Sequence, residues 1–299
     1  MYQSMEEMIG NTPIVRLGKL FPDREIYAKL ELFNPAGSAK DRAALFMLDD
    51  FERRGLLPPG GTIIEPTSGN TGVALAALAA RRGYKVILTM PDSMSLERRQ
   101  LLKAYGARLV LTEGAKGMAG AVEKAEQLRK EIPGSVIAGQ FENPANALAH
   151  ERTTGPEIWA ELGARLETLV AGVGTGGTLT GTARYLKGKN PALRAVAVEP
   201  AASPLLSEGK AGPHGLMGIG ANFVPALLDR DLIDEIVPVR EEEAHRMARR
   251  CAREEGLLIG ISSAAALVAA ERARGVTLAI LPDGGERYLS TGIYEEEEK

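Results

Sequence analysis

From Thr62 onward, short runs of β-branched and aliphatic residues alternate with stretches of helical periodicity, which restricts the chain to parallel strands joined by crossover helices. Thr62–Glu65 reads as a buried strand, Pro66–Gly72 as a polar turn leading into a helix that runs to about Arg82, and Lys85–Met90 as a second strand. Helix Ser95–Tyr105, strand Arg108–Thr112, helix Lys116–Glu131 and strand Ser135–Ala138 continue the pattern. After an irregular stretch at Phe141–Ala149 it restarts with helix Thr153–Leu162, strand Thr168–Val173, a Gly-rich turn, helix Thr178–Lys187 and strand Arg194–Val198. Helix Arg240–Glu255, helix Ser262–Arg274 and strand Val276–Leu281 complete this second unit. The fold class expected is therefore α/β, with two doubly wound open sheets. Ala201–Val224 is rich in Gly and Pro and too long for an ordinary connection, so it reads as a functional loop, while Glu295–Lys299 reads as a solvated tail.

Bulk properties exclude several classes of function. A 44% hydrophobic and 25% charged composition is that of a globular protein rather than a disordered or membrane-spanning one. The net charge of -3, with Lys and Arg scattered, offers no basic field to a nucleic acid. The single cysteine, Cys251, has no partner within the chain, and the first residues lack the basic start and apolar stretch of a signal peptide, so the cytoplasm is expected. His150, His214 and His245 have no spacing suited to a metal and no cysteine pair beside them, so no metal is expected.

Three segments carry candidate chemistry. Gly172-Val173-Gly174-Thr175-Gly176-Gly177 follows an apolar strand and opens a helix, the setting in which backbone amides face an anion. Its spacing also admits a dinucleotide, with Glu199 as the ribose-binding acid of an oxidoreductase, and glycines can stand in such turns for steric reasons alone. Glu65-Pro66-Thr67-Ser68-Gly69-Asn70-Thr71-Gly72 is a second strand-to-helix turn, filled with hydroxyl and amide donors that can grip a carboxylate or simply cap the helix. In Asn34-Pro35-Ala36-Gly37-Ser38-Ala39-Lys40-Asp41-Arg42 a lysine stands where a helix begins, near Ser38 or Lys40. The helix dipole disfavours a cation there and would lower the amine's pKa, although a surface lysine beside Asp41 satisfies the same residues.

Together these segments resemble the cysteine synthases (O-acetylserine sulfhydrylases), which are fold-type II pyridoxal-phosphate enzymes of tryptophan synthase β-like architecture. The likeness begins at Ile9–Pro13 and runs through Pro35–Arg42, Glu65–Gly72, Met90–Arg98, Thr112–Met118, Gln140–Asn146, Thr153–Trp159, Gly172–Gly177, Gly218–Pro225, Gly260–Ser263 and Gly285–Thr291. It implies pyridoxal 5'-phosphate as cofactor, held covalently by Lys40. Gly174, Thr175, Gly176, Gly177 and Thr178 would bind its phosphate, which displaces the dinucleotide reading and leaves Glu199 without that role. Asn70 would contact the cofactor's 3'-oxygen, and Ser262, with Ser263 as the fallback, its pyridine nitrogen. Thr67, Ser68, Gly69, Asn70, Thr71, Gln140 and Gly218 would bind substrate.

The reaction implied is β-replacement of O-acetyl-L-serine by sulfide through an α-aminoacrylate, with Lys40 moving the α-proton. A neutral hydroxyl at the pyridine nitrogen makes a shallower electron sink than a charged partner and favours elimination over transamination. The resemblance also implies a homodimer, a smaller mobile unit at 40–145 between segments 1–39 and 146–299 of a larger one, a closing loop at Gly212–Phe223, and the C-terminal peptide of serine acetyltransferase as a partner. Cystathionine β-synthases, which condense serine with homocysteine, share the motifs and stay open as an alternative. Two departures, Ala264 for the usual Gly and Ala39 for Val, remove no functional group. The run 212–220 lacks the arginine pair expected in relatives that take bulkier or more anionic partners.

Overall fold

The computed structural model describes residues 1–94 and 96–295. In chain order its main elements are β1 (Ile14–Arg16), β2 (Ile26–Leu30), α1 (Lys40–Arg53), β3 (Thr62–Pro66), α2 (Asn70–Arg82), β4 (Lys85–Pro91), α3 (Leu96–Ala104), β5 (Arg108–Thr112), α4 (Gly117–Glu131) and β6 (Val136–Ile137). There follow α5 (Ala145–Ala149), α6 (Gly155–Leu162), β7 (Thr168–Gly172), α7 (Gly177–Lys189), β8 (Arg194–Pro200), α8 (Leu205–Glu208), β9 (Glu235–Val239), α9 (Glu241–Glu254), α10 (Ile261–Arg272) and β10 (Thr277–Leu281). Among the described residues no helix is long and apolar enough to cross a membrane.

Two sheets result. One has six strands in the order β1-β2-β10-β7-β8-β9, parallel except for the antiparallel β1–β2 pair, and the other has four parallel strands in the order β5-β4-β3-β6. Parallel strands covered on both faces must be apolar throughout, which is why Thr277–Leu281 and Lys85–Pro91 are buried almost end to end. Register is set by such residues: Ala279 pairs with both Ala28 and Val170, and Ile64 with both Ile87 and Ile137. In helix α10 every residue from Ile261 to Ala270 is buried, and all of these but Ser262 and Ser263 belong to the core it forms with the six-stranded sheet and α9. The second core lies between α1, α2 and the four-stranded sheet.

The winding fixes where a ligand can sit. In the smaller sheet the chain runs β3 to β4 to β5 outward, then returns to place β6 on the other side of β3; in the larger, β7 to β8 to β9 runs outward and β10 returns beside β7. A crevice opens at each such reversal, beyond the carboxyl ends of the strands. The loops after β3, β6, β7 and β10 meet at one place.

The structure differs from expectation at several elements. Strands β1, β2 and β9 lie outside the alternation read from the sequence. The stretch 141–149 expected to be irregular holds α5, which continues through a π turn at His150–Thr154 into α6. Pro156, at the start of α6, has no N–H to donate one turn back, and the widened turn directly precedes it. The helix expected from Ser95 is α3, with Ser95 itself outside the described residues, as is the expected tail beyond Glu295. Cys251 is buried in α9, as a core residue.

Candidate active site

The loops at the two reversals enclose a cavity of about 260 Å³. Of the residues expected at the site, Lys40, Thr67, Gly69, Asn70, Thr71, Gln140, Gly174, Thr175, Gly176, Thr178, Gly218 and Ser262 line it. Gly177 lies just behind, as the first residue of α7. Ser68 faces an adjoining cavity, which it shares with Gly69, Asn70, Gly218, Arg98 and Arg287.

Lys40 is the first residue of α1, where the helix dipole opposes a cation. The turn before it is fixed by Ala39 N–H donating to the Pro282 carbonyl (2.9 Å) and Ala36 N–H donating to Asp41 Oδ2 (2.6 Å). Burial lowers the Lys40 amine's pKa, and the Asp283 and Glu31 carboxylates oppose that shift only in part. Such an amine is closer to its nucleophilic, neutral form than a surface lysine.

The glycines of the 172–177 loop serve sterically as well as electrostatically. A Cβ at Gly172 would lie 2.6 Å from Ile219 Cγ2, and one at Gly174 would collide with the Gly218 carbonyl, so the 218–219 backbone rests directly on the loop. Gly176 has φ +81°, a conformation that a side chain would strain. The first N–H groups of α7 have no intrahelical acceptor and stand beside the Thr175 and Thr178 hydroxyls, which makes a cradle suited to an anion.

On the opposite wall Thr71 Oγ1 donates to Gln140 Oε1 (2.5 Å), joining the loops after β3 and β6. Behind them the buried Glu65 accepts from Gly139 N–H (2.8 Å) and Gln140 N–H (3.3 Å), and burial pushes its carboxyl up to about 7. Ser262 reaches the cavity at the start of α10. Ser263 does not, since its Oγ donates to the Asp283 carbonyl (3.1 Å).

Sequence reasoning gave no role to several residues that hold this site. Asn70 Nδ2 donates to Asp283 Oδ2 (2.7 Å), and Arg287 Nη1 donates to Asn70 Oδ1, so the two ends of the Asn70 amide are told apart and one N–H remains for the cavity. Burial raises the pKa of Asp283, which also accepts from the Tyr288 hydroxyl. Asn146 and His150 stand behind the glycine loop. Asp283 and Arg287 lie within or beside a run that resembles the family, yet no local spacing could link them to Asn70. Glu199, left without a cofactor role, caps α8 by accepting from Leu206 N–H (2.7 Å) and Ser207 N–H (3.1 Å). His214 Nε2 lies 2.8 Å from the Gly220 carbonyl and helps fold the mouth loop. Among the described residues no cluster of His, Cys, Asp and Glu could hold a metal ion.

Pyridoxal phosphate fits these residues. A desolvated lysine amine suits its aldehyde, the α7 cradle its phosphate, and the Ser262 hydroxyl its ring nitrogen. The model of the pyridoxal-phosphate-dependent enzyme family matches residues 5–282. A cysteine synthase of Staphylococcus aureus is 50% identical over 97% of this chain and 96% of its own length. An O-ureido-L-serine synthase structure superposes with a TM-score of 0.96 at 46% identity, covering 100% of this chain and 97% of that one. O-acetylserine sulfhydrylase isoform 3 of Entamoeba histolytica gives 0.94 at 42% identity, covering 100% and 93%.

Proposed function

The chain belongs to the family of pyridoxal-phosphate-dependent enzymes, and we propose that within it the chain makes L-cysteine by exchanging the acetoxy group of O-acetyl-L-serine for sulfide. The observation that carries this reading is the gathering, in one cavity, of Lys40, an anion cradle, the neutral Ser262 and the hydroxyl- and amide-bearing residues Thr67, Asn70 and Thr71. When bound, the cofactor supplies the electron sink that lets the α-proton and the β-leaving group depart. Lys40 Nζ takes the proton from the substrate's Cα and later returns it to the same carbon, while acetate leaves with the Cβ–O electron pair and sulfide forms the new Cβ–S bond. Thr67, Gly69, Asn70, Thr71, Gln140 and Gly218 hold the substrate carboxylate near Lys40, and Ser68 meets the substrate from the adjoining cavity. Gly174 to Thr178 hold the cofactor phosphate, Asn70 the 3'-oxygen, and Ser262 the ring nitrogen.

Residues 40–145 act as a smaller unit that closes the cleft against the rest, with the 212–223 loop excluding water. Two contacts support this: the Phe141 and Phe223 rings meet edge to face at 4.9 Å, and Arg98 Nη2 lies 3.2 Å from Met217 Sδ. A cytoplasmic homodimer is the setting this reading carries. The purified protein should be yellow and release one acetate per cysteine formed from O-acetylserine and sulfide. A colourless protein that binds no pyridoxal phosphate would remove the reading, and faster turnover of serine with homocysteine would replace it by the cystathionine-forming one.

The adjoining cavity, walled by Arg98 and Arg287, fits the carboxylate end of a serine acetyltransferase peptide entering the same cleft. Such a peptide should raise the KM for O-acetylserine and leave kcat unchanged. An unaltered KM at saturating peptide would exclude that partner.

A further inference from the structure

Thr175 and Thr178 line the cavity, and the hydroxyl of each is met by a fully buried side chain that does not itself reach the cavity. Asn146 Nδ2 donates to Thr175 Oγ1 at 3.1 Å, and His150 Nε2 lies 3.1 Å from Thr178 Oγ1. The two stand four residues apart on one continuous helical segment, so a single face presents both. The approach depends on glycine: a Cβ at Gly177 would overlap the Asn146 amide, and one at Gly181 the Ala147 carbonyl oxygen.

The protons can be counted. Asn146 Nδ2 gives one N–H to the Gln140 carbonyl (2.8 Å) and the other to Thr175, so Thr175 accepts from behind and its own proton is left for the cavity side. The same outcome at Thr178 depends on the His150 tautomer. Burial pushes this imidazole down to about 3, so the ring is neutral and carries one proton. Its Nδ1 faces Thr154 Oγ1 at 2.9 Å. With the proton on Nε2, the Thr154 hydroxyl donates to Nδ1, Nε2–H donates to Thr178, and the Thr178 proton turns to the cavity. With the proton on Nδ1, the ring would draw the Thr178 proton back onto itself. A phosphate dianion has only acceptors to offer, so a hydroxyl presenting a lone pair to it would repel.

We propose that Asn146 and His150 are positioning residues that direct the Thr175 and Thr178 hydroxyl protons into the cavity, making the start of α7 a donor-only cradle for the cofactor phosphate. This rests on the pyridoxal-phosphate reading.

The direct test needs no variant. In holoenzyme labelled with 15N-histidine, the fully buried one of the three imidazoles should be neutral and protonated at Nε2 across pH 6 to about 9. A neutral ring protonated at Nδ1 overturns the proposal. Among variants, His150→Phe should weaken cofactor affinity about tenfold and shift the bound 31P resonance, while His150→Gln, whose amide can donate to Thr178, should stay within about threefold of the parent. A folded His150→Phe protein with parental affinity and 31P shift, or a His150→Gln protein as impaired as it, would equally defeat the idea. A parent protein that binds no pyridoxal phosphate would instead defeat the reading beneath it, and the tautomer would still be measurable.

Discussion

Lys40→Ala should leave a folded protein that forms cysteine at least about 10³-fold more slowly, because one amine both holds the cofactor and moves the α-proton. In the cofactor-free protein the effect on stability should be small and favourable in sign. Removing a desolvated cation from the first position of α1 relieves an unfavourable interaction with the helix dipole and leaves the turn intact, since the Ala39 N–H and the Asp41 carboxylate hold it, not the lysine. Lys40→Arg separates charge from chemistry. A guanidinium stays protonated at any working pH, so it cannot accept the α-proton, and this variant should be as inactive as the alanine one. Steady-state rates measured beside thermal melts and the visible spectrum decide the matter. Turnover within tenfold of the parent in either variant would take the role from Lys40.

What the sequence reveals about this site is uneven, and the reasons are physical. Parallel strands buried on both faces announce themselves as apolar runs, so β3, β4, β7 and β8 are legible. Strand β9 is not, because it is an edge strand: Pro238 interrupts Glu235–Val239, a residue tolerated there only because its missing N–H faces no neighbour, and half the run is exposed. β2 is obscured by Lys29, a charge inside a strand that makes sense only once its ammonium is seen on Glu157 (2.6 Å) and the Thr12 carbonyl (2.6 Å). The loops after β3 and β7 carry their donors in consecutive residues and can be read locally. Asp283 and Arg287 act on Asn70 from more than 200 positions away, and nothing but the fold brings them there. The choice between Ser262 and Ser263 likewise turns on which way adjacent residues of one helix face. Local chemistry left Lys40 indistinguishable from a surface lysine beside Asp41. Its desolvated setting comes from burial at the head of α1, which the Asp283 carboxylate and the buried charges beneath α1 oppose only in part.

Those charges carry the largest stability effect to be expected. Arg42 lies two residues beyond Lys40 and donates to Glu31 (2.7 and 2.8 Å) and to Glu157 (2.6 and 2.8 Å), while Glu157 also accepts from Lys29. Two cations and two carboxylates thus balance in a nearly water-free space. Removing one partner leaves a buried charge uncompensated, so Arg42→Met should cost about 3–5 kcal/mol in unfolding free energy at fixed cofactor and protein concentration. The pH dependence should change sign as well. In the parent, burial raises the Glu31 pKa but Arg42 outweighs it and holds the carboxyl at about 2 against an ordinary 4.5. The unfolded chain therefore binds the extra proton, and this stabilisation is complete above pH 4.5 and lost as pH falls toward 2. Without Arg42, burial, the largest influence on this carboxyl, is opposed chiefly by the Thr12 hydroxyl and the Asn34 amide, so the folded pKa of Glu31 should rise above 4.5, the native state should bind the extra proton, and acidification from neutrality toward 4.5 should restore stability to the variant. If the loss comes from the orphaned carboxylate and not from missing packing, Arg42→Met combined with Glu31→Leu, which leaves Lys29 and Glu157 paired, should recover most of it. A double variant no more stable than Arg42→Met would assign the cost to packing instead. Because α1 begins at Lys40, turnover in the double variant then shows whether the network is needed for placing that amine or only for keeping its helix folded.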